Sequence, residues 1–511
     1  MSSVSTIEIE RTHKSVVQVV ARNTAFMLGG QILIKIFAFI FNIYVVRRLG
    51  DAHFGRYSAA LAYVAIFAML TDLGTSSLSV REMARKKENI AWMVPDIMAM
   101  RGVLSLLVIA GITLSAWLLG KTPDMVLGIF IASCGLFLYA FQGPLDSVMI
   151  AQERLDFSSL FRLLNQIVFM SLGTILLLSG LGYIGLLLAS LVGVLVIGLA
   201  AAFVVKRILG LHFSRPNPHH WWPLLRSSFP FGVAGAASEL SGRFDTVFMS
   251  FALTDAAVGW YNVPYNLILM MLLLAQSLAL SIYPTMVKEY DSGRGSIQNT
   301  VQKALRYLLL LSLPMAVGGM LLADKIILVL YGQEFAPAIK VLQLLIWVLP
   351  GMFLAEILGR TTSALHLEQK VARLSIINAL IGIVLNVIFI SQLGVIGAAI
   401  AALTCRLISI ILISIIIGPA MLFKGNVKPL LRVAGAGTLM GGVVWLLRDA
   451  AFLMALNDKL ALLLMVSAGA IVYGGAALVL GAISRGEARY VFSRVQNRLH
   501  RSGRKKLAAQ R

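Results

Sequence analysis

Charged side chains that lie inside long apolar runs are the residues of this sequence best placed to do chemistry. They are Lys35, Arg101, Glu239, Arg243, Asp245 and Arg406. A charge near the middle of a bilayer costs about 2.5–3.5 kcal/mol on insertion scales, so it usually faces a partner or a water-filled cavity. Buried cations can bind an anion, and buried carboxylates can bind a proton or a cation. We therefore expect the lysine and arginines to bind substrate, and Glu239 and Asp245 to act in gating or ion coupling.

The spacing of these residues separates two kinds of charge. Glu239 and Arg243 are four residues apart, which is also the spacing of an ordinary intrahelical ion pair. Lys35 and Arg406 have no acidic residue three or four positions away, so their partner must come from another helix or from a ligand. We consider a pair between Lys35 and Glu239, and an anionic ligand for Arg406. The alternative for Arg406 is packing against helix-end carbonyls.

Motifs for catalysis and metal binding are missing from the sequence. Gly120-Lys121-Thr122 resembles the end of a nucleotide-binding loop, but Ser115 stands where that motif requires its first glycine. The histidines show no metal-ligand spacing with cysteine or acidic residues. The sequence therefore predicts neither an enzyme, nor a cofactor, nor a metal site.

The composition indicates a membrane protein with many helices. Hydrophobic residues make up 59% of the chain and charged residues 13%, against about 25% charged in a typical soluble domain. Apolar runs long enough to cross about 30 Å of hydrocarbon recur along the whole sequence. The net charge of +21 comes mainly from alternate loops and the C-terminal tail. This distribution is typical of membrane topology and excludes a nucleic-acid-binding domain.

Hydropathy predicts an all-α fold with fourteen transmembrane helices. The spans are 23–46, 57–79, 95–119, 125–150, 159–180, 183–205, 224–251, 257–286, 303–323, 338–358, 371–392, 394–418, 429–447 and 460–483. The more basic loops fall on one side, which the positive-inside rule assigns to the cytoplasm. We therefore expect a multi-pass protein of the cell membrane with both termini in the cytoplasm.

An internal duplication organises these helices. Four residues recur 204 positions later: Leu49, Asp51, Gly55 and Tyr57 match Leu253, Asp255, Gly259 and Tyr261. The sequence Leu-Gly-Tyr-Ile-Gly from Leu181 recurs 212 positions later as Leu-Gly-Val-Ile-Gly. Because six helices return the chain to its starting side, the sequence predicts two parallel six-helix repeats that form two lobes, plus an appended helix pair.

These repeats divide the chain into predicted segments. They are a cytoplasmic N-terminal segment (1–22), an N-lobe (23–210), an inter-lobe loop (211–223), a C-lobe (224–420), the appended helices (421–483) and a basic cytoplasmic tail (484–511).

Three stretches carry a resemblance to a known family. They are Tyr44-Val45-Val46-Arg47-Arg48-Leu49-Gly50 with Phe54-Gly55-Arg56-Tyr57, the Asp245 segment running into Val258-Gly259-Trp260-Tyr261, and Tyr331-Gly332-Gln333-Glu334-Phe335-Ala336. Together they resemble the polysaccharide-flippase branch of the multidrug/oligosaccharidyl-lipid/polysaccharide exporter superfamily. Membership implies a central cationic cavity that alternates between the membrane faces, and a polyprenyl-(pyro)phosphate-linked saccharide as cargo.

Three functions remain open from the sequence. The first is a flippase that moves this cargo from the cytoplasmic to the external leaflet, with membrane lipids, a coupling cation (H⁺ or Na⁺) and polysaccharide assembly proteins as partners. The second is a cation-coupled multidrug antiporter, which acidic rather than basic deep charges would favour. The third is a membrane-embedded glycan-processing enzyme, for which the external loops are short.

The asymmetry of basic loops gives a topology that can be measured. Reporter fusions after Lys87, Lys206 and Lys424 should report the cytoplasm, because these positions lie in the more basic loops. Fusions within 120–124 and 253–256 should report the external side. An external signal from any fusion of the first group would contradict the fourteen-span topology.

Overall fold

The protein is helical throughout the part that the structure describes. The computed structural model describes residues 3–210, 213–291, 297–423, 427–448 and 457–482, and these ranges contain helices and turns but no strand. This confirms the predicted all-α membrane fold. The predicted basic tail, 484–511, lies outside the described residues.

The helices are numbered in chain order. They are α1 (Ser3–Asp72), α2 (Thr75–Arg85), α3 (Asn89–Leu118), α4 (Pro123–Ala151), α5 (Leu155–Leu178), α6 (Gly182–Phe203), α7 (Trp221–Ala252), α8 (Asp255–Asp291), α9 (Ile297–Leu321), α10 (Ala323–Leu330), α11 (Ala338–Leu345), α12 (Val348–Ala364), α13 (Glu368–Ile417), α14 (Pro419–Phe423), α15 (Val427–Arg448) and α16 (Asp458–Val479).

Local sequence explains where several helices begin. Thr122 caps α4, because its side-chain oxygen accepts a hydrogen bond from Met125 N, and Pro123 occupies the first helical position. Asn457 caps α16 in the same way, accepting from Lys459 N at 3.1 Å.

Two glycines break the longest helices. Gly50 in α1 has φ 73° and Gly394 in α13 has φ 60°, conformations that side chains with a Cβ atom rarely adopt. Each glycine separates two of the spans that hydropathy predicts, so one continuous helix in the numbering contains two apolar segments.

Eleven helical segments of the described residues are long and apolar enough to cross a membrane. α7 covers the predicted span 224–251 but is not among these segments. The exact number of fourteen therefore stays a prediction. Large apolar side chains such as Ile471 (75% exposed) and Val479 (87% exposed) face outward, as expected for a surface in contact with lipid.

The chain divides into two compact units, Met1–Asn262 and Val263–Arg511. A cluster in the first unit joins α2, α3 and α4, with Met83, Met93 and Met149 almost fully buried. A cluster in the second unit packs α15 and α16 against α9 through residues such as Met440 and Met465. The predicted lobes and appended pair stay a prediction, since this division by contacts does not test them.

In the first unit, the duplicated segments lie against each other through their glycines. A Cβ atom at Gly55 would lie 1.7 Å from Asp255 O, and one at Gly259 would lie 2.4 Å from Asp51 O. The contact is reciprocal, because each glycine faces the aspartate of the other segment. Neither position has room for a side chain.

Side chains around this crossing repeat the same reciprocity. Arg56 Nε donates to Asp255 Oδ2 at 2.7 Å, and Trp260 Nε1 donates to Asp51 Oδ2 at 2.9 Å. Arg56 and Trp260 are 204 positions apart, as are the two aspartates. This arrangement supports the duplication read from the sequence.

The glycine crossing predicts a specific loss of stability. Gly55→Ala should destabilise the protein, by about 1–3 kcal/mol, because the new methyl group overlaps a backbone carbonyl. Thermal unfolding of the purified protein, followed by tryptophan fluorescence, measures the effect. Gly111→Ala on α3 is the matched control, since a Cβ atom there meets nothing within 4 Å. Equal unfolding temperatures for the two variants would contradict this prediction, because they would show that the two backbones can move apart at the crossing without loss of stability.

Candidate functional site

Arg406 lines a cavity in the second unit. The cavity has a volume of about 330 Å³ and lies among α8, α12 and α13. Its walls are formed by Leu272, Met352, Ala355, Glu356, Gly359, Arg360, Ser363 and Arg406. The lining is half apolar and carries charge at three positions, which suits a ligand with a charged head.

A glycine on α12 lets the Arg406 side chain pass. A Cβ atom at Gly351 would lie 2.5 Å from Arg406 Cγ, so the aliphatic part of the arginine occupies the space that a larger residue would fill. Arg406 also lines the cavity together with Ala355 and Glu356, which lie one turn further along α12 than Gly351. Glycine at position 351 thus leaves room for the aliphatic part of the arginine.

The cavity contains two guanidinium groups and one carboxylate. Among the described residues, neither Arg360 nor Arg406 has a carboxylate within ion-pair distance, which is 4.0 Å between nitrogen and oxygen. Glu356 instead accepts a hydrogen bond from Gln276 Nε2 at 3.4 Å, while Arg360 lies 6.0 Å from the ring centre of Tyr283. The described lining therefore carries two cations and one carboxylate, a net charge of +1 when all three groups are ionised.

Sequence reasoning recognised only one of these charged residues. Glu356 lies near the end of the predicted span 338–358, and Arg360 follows that end by two residues. Their spacing of four residues, which places both on one helix face, was the available signal. Hydropathy alone could not show that Glu356 and Arg360 line the same cavity as Arg406.

Arg101, the second predicted site cation, has partners within the first unit. Its side chain is buried, with 5% exposed, and donates to Thr75 Oγ1 at 2.7 Å and Ser76 Oγ at 2.9 Å. It also forms an ion pair with Asp72. The arginine thus holds the junction between α1 and α2, a role that the sequence analysis did not identify.

Lys35, Glu239 and Arg243 are exposed. The described structure contains no ion pair between Lys35 and Glu239, and none between Glu239 and Arg243. Neither hypothetical pair therefore forms in this conformation. The roles of the three residues in binding or gating stay predictions.

Asp245 on α7 is buried, with 9% exposed. Its Oδ2 accepts a hydrogen bond from Tyr261 OH at 2.5 Å, and its Oδ1 accepts from Thr246 N at 2.6 Å. The hydrogen bond from Tyr261 connects α7 to α8 within the first unit. Arg406 is among the described residues that line the cavity, whereas Arg101 and Asp245 are not part of that lining.

Two family models match the sequence over more than half of its length. The family described as polysaccharide biosynthesis protein matches residues 20–289. The family described as lipid II flippase MurJ matches residues 168–455. Together the two matches span residues 20–455, which include parts of both compact units.

Two relatives from Haloferax volcanii are similar over most of the chain. The probable low-salt glycan biosynthesis flippase Agl15 is 22% identical over 440 residues, which are 84% of this chain and 89% of that protein. The probable flippase AglR is 24% identical over 486 residues, which are 93% of this chain and 98% of that protein.

Solved structures show the same fold. The lipid II flippase MurJ in an inward closed conformation has a TM-score of 0.71 at 17% identity, over 87% of this chain and 98% of that chain. An inward-facing multidrug resistance MATE family transporter of the MOP superfamily has a TM-score of 0.59 at 17% identity, over 75% of this chain and 94% of that chain. These matches confirm the resemblance seen in the sequence. Because each family model matches more than half of the chain, the chain belongs to the polysaccharide biosynthesis and lipid II flippase family of proteins.

Proposed function

We propose that the protein moves a polyprenyl-(pyro)phosphate-linked oligosaccharide from the cytoplasmic to the external leaflet of the cell membrane. Its family members are named as flippases and transporters, and it is not an enzyme. The observation that carries the proposal is the cavity in which Arg360 and Arg406 lie without a carboxylate at ion-pair distance among the described residues.

The chemistry of the cargo fits this cavity. The phosphate head of a lipid-linked saccharide cannot cross hydrocarbon without replacement of its hydration shell. Guanidinium groups replace that shell well, because they donate paired hydrogen bonds to phosphate oxygens. The polyprenyl tail can remain in the bilayer while the head passes, so only the head needs a polar path.

Transport also requires that the cavity open alternately to the two membrane faces. We place a closing contact at the glycine crossing, on the side assigned as external by the basic loops. There Arg56 binds Asp255 at 2.7 Å and Asp124 at 2.9 Å. This contact connects α1, α4 and α8 within the first unit, and its side chains are only partly exposed.

A second cation strengthens the same contact. Lys121 donates to the Ser250 carbonyl and lies 4.0 Å from the ring centre of Phe251. Burial lowers the pKa of the Lys121 ammonium group, and the Asp255 charge acts in the opposite direction. We call the group of Arg56, Lys121, Asp124 and Asp255 the external contact.

The multidrug antiporter remains the second candidate. Buried Asp245 favours it, because a carboxylate held by neutral donors is suited to bind and release a proton. We assign ion coupling to Asp245 within the flippase reading as well. The two functions differ in cargo, and the cavity cations favour an anionic head over a cationic drug.

Replacement of Arg406 should separate transport from folding. In cells that lack the native protein, Arg406→Ala should abolish transport, so that lipid-linked saccharide accumulates on the cytoplasmic leaflet. Arg406→Lys should retain part of the transport, because it keeps the charge but loses the paired donors. Mass spectrometry of extracted lipids, together with surface glycan labelling, measures both outcomes.

Arg373→Ala is the matched control for this experiment. Arg373 is an exposed arginine on the same helix, outside the cavity, and its loss should leave transport unchanged. Transport by Arg406→Ala at the wild-type rate would contradict the assignment and favour simple packing of this side chain. A drug-resistance phenotype with unchanged lipid-linked glycans would favour the antiporter.

The external contact predicts a charge-swap result. Arg56→Asp should shift the protein toward an externally open state by about fivefold, since a partly exposed ion pair contributes up to about 1 kcal/mol. Adding Asp255→Arg should restore much of the closed population. Labelling of an introduced Ser250→Cys by a membrane-impermeant thiol reagent reports opening. Arg48→Asp, at an exposed arginine on the same helix, is the control. Unchanged labelling in Arg56→Asp would rule out this contact as a closure.

A further inference from the structure

Glu356 is the one carboxylate on the described wall of the cavity that holds Arg360 and Arg406. We propose that Glu356 is an internal counter-ion for these guanidinium groups, which takes up a proton when the anionic head of a substrate binds. This inference rests on the proposed function only for the identity of that head. It concerns the charge state of the cavity, which can be measured without transport.

The position of Glu356 makes it a competitor for the cations. Glu356 precedes Arg360 by one helical turn on α12. Its charge also acts on Arg406, which lies on α13. In the described structure it is not within ion-pair distance of either arginine, and its Oε1 instead accepts from Gln276 Nε2 on α8 at 3.4 Å. The carboxylate therefore attracts the cations without closing the cavity to another anion.

Binding of a phosphate group changes the balance of charge around Glu356. The groups that face this region are Arg360 on α12, Arg406 on α13, and Gln276, Tyr265 and Tyr283 on α8. The only positive charges among them are the two arginines. The two arginines cannot neutralise both a bound diphosphate and an ionised Glu356. The ionised carboxylate would therefore be repelled by the remaining negative charge of the diphosphate.

Protonation of Glu356 removes this repulsion. The proton comes from solvent, adds to a carboxylate oxygen, and leaves a neutral acid that can still hydrogen-bond to Gln276. Binding of the anion and of the proton then favour each other, by linkage. Affinity should rise as the pH falls, because protonated Glu356 is the form that accepts the anion, and should weaken as the pH rises.

Calorimetry of the purified full-length protein tests this inference. The probe is geranylgeranyl diphosphate, which has a prenyl chain and a diphosphate but no saccharide. Titrations at about pH 8, above the second pKa of a phosphate group, use two buffers that differ in heat of ionisation. The difference between the two heats gives the number of protons taken up for each ligand bound.

Four proteins give distinct expected results. Wild type should take up protons on binding, and Glu356→Asp should do the same. Glu356→Gln should take up none and bind at least about a thousandfold more tightly, because a carboxyl group with an ordinary pKa of about 4.3 takes up protons at about pH 8 only if the ligand disfavours its ionised form by at least that factor. Glu368→Gln, at an exposed carboxylate in the first turn of α13, should behave like wild type.

Equal affinity and equal proton uptake in wild type and Glu356→Gln would overturn the counter-ion role. Failure of wild type to bind the diphosphate would overturn it as well. Either result can coexist with saccharide transport in the cell assay, where it would leave the proposed function intact. Conversely, proton-linked binding of the probe without saccharide transport would support the counter-ion role and contradict the proposed cargo.

Discussion

The free energy required to place a charged group in hydrocarbon determines which partners the charged residues of this protein need. A deep cation needs a carboxylate, a carbonyl, a ligand or the water of a cavity as partner, because hydrocarbon offers it none. Arg101 meets this requirement with Asp72, Thr75 and Ser76, and so becomes part of the scaffold. Arg406 meets it differently, in a cavity shared with Arg360 and a single carboxylate on the described wall. Arg101 thus stabilises the fold, whereas Arg406 belongs to the proposed site.

Close backbone packing sets the frame in which these charges lie. At Gly55 and Gly259 the duplicated segments approach until only hydrogen atoms fit between them. Hydrogen bonds from the side chains of Arg56 and Trp260 to the opposite segment join the two segments there. At Gly351 the absence of a side chain gives room to the aliphatic part of Arg406. Glycine therefore acts here by allowing contact, while the charged neighbours make each contact specific.

Much of the fold could be predicted from the sequence because bilayer thickness fixes the length of an apolar helix. The break at Gly50 falls between two predicted spans, and the break at Gly394 falls at the first residue of the predicted span 394–418. The site was less predictable, since the partner of a charge depends on tertiary structure. Asp72 lies 29 residues before Arg101, and nothing in local spacing connects them. Arg406 was identified because it lacks a local acid, whereas Glu356 and Arg360 near a span end gave no such signal.

The central claim is that the protein moves a lipid-linked saccharide between leaflets, and reconstitution tests it most directly. Purified protein in liposomes would be given a fluorescent polyprenyl-diphosphate saccharide, with a membrane-impermeant quencher added outside. We predict that nearly all of the fluorescence is quenched with time in vesicles that contain the protein, because inner-leaflet cargo reaches the outside. Protein-free vesicles should keep about half, the share of the inner leaflet. Equal quenching in both kinds of vesicle would contradict the claim.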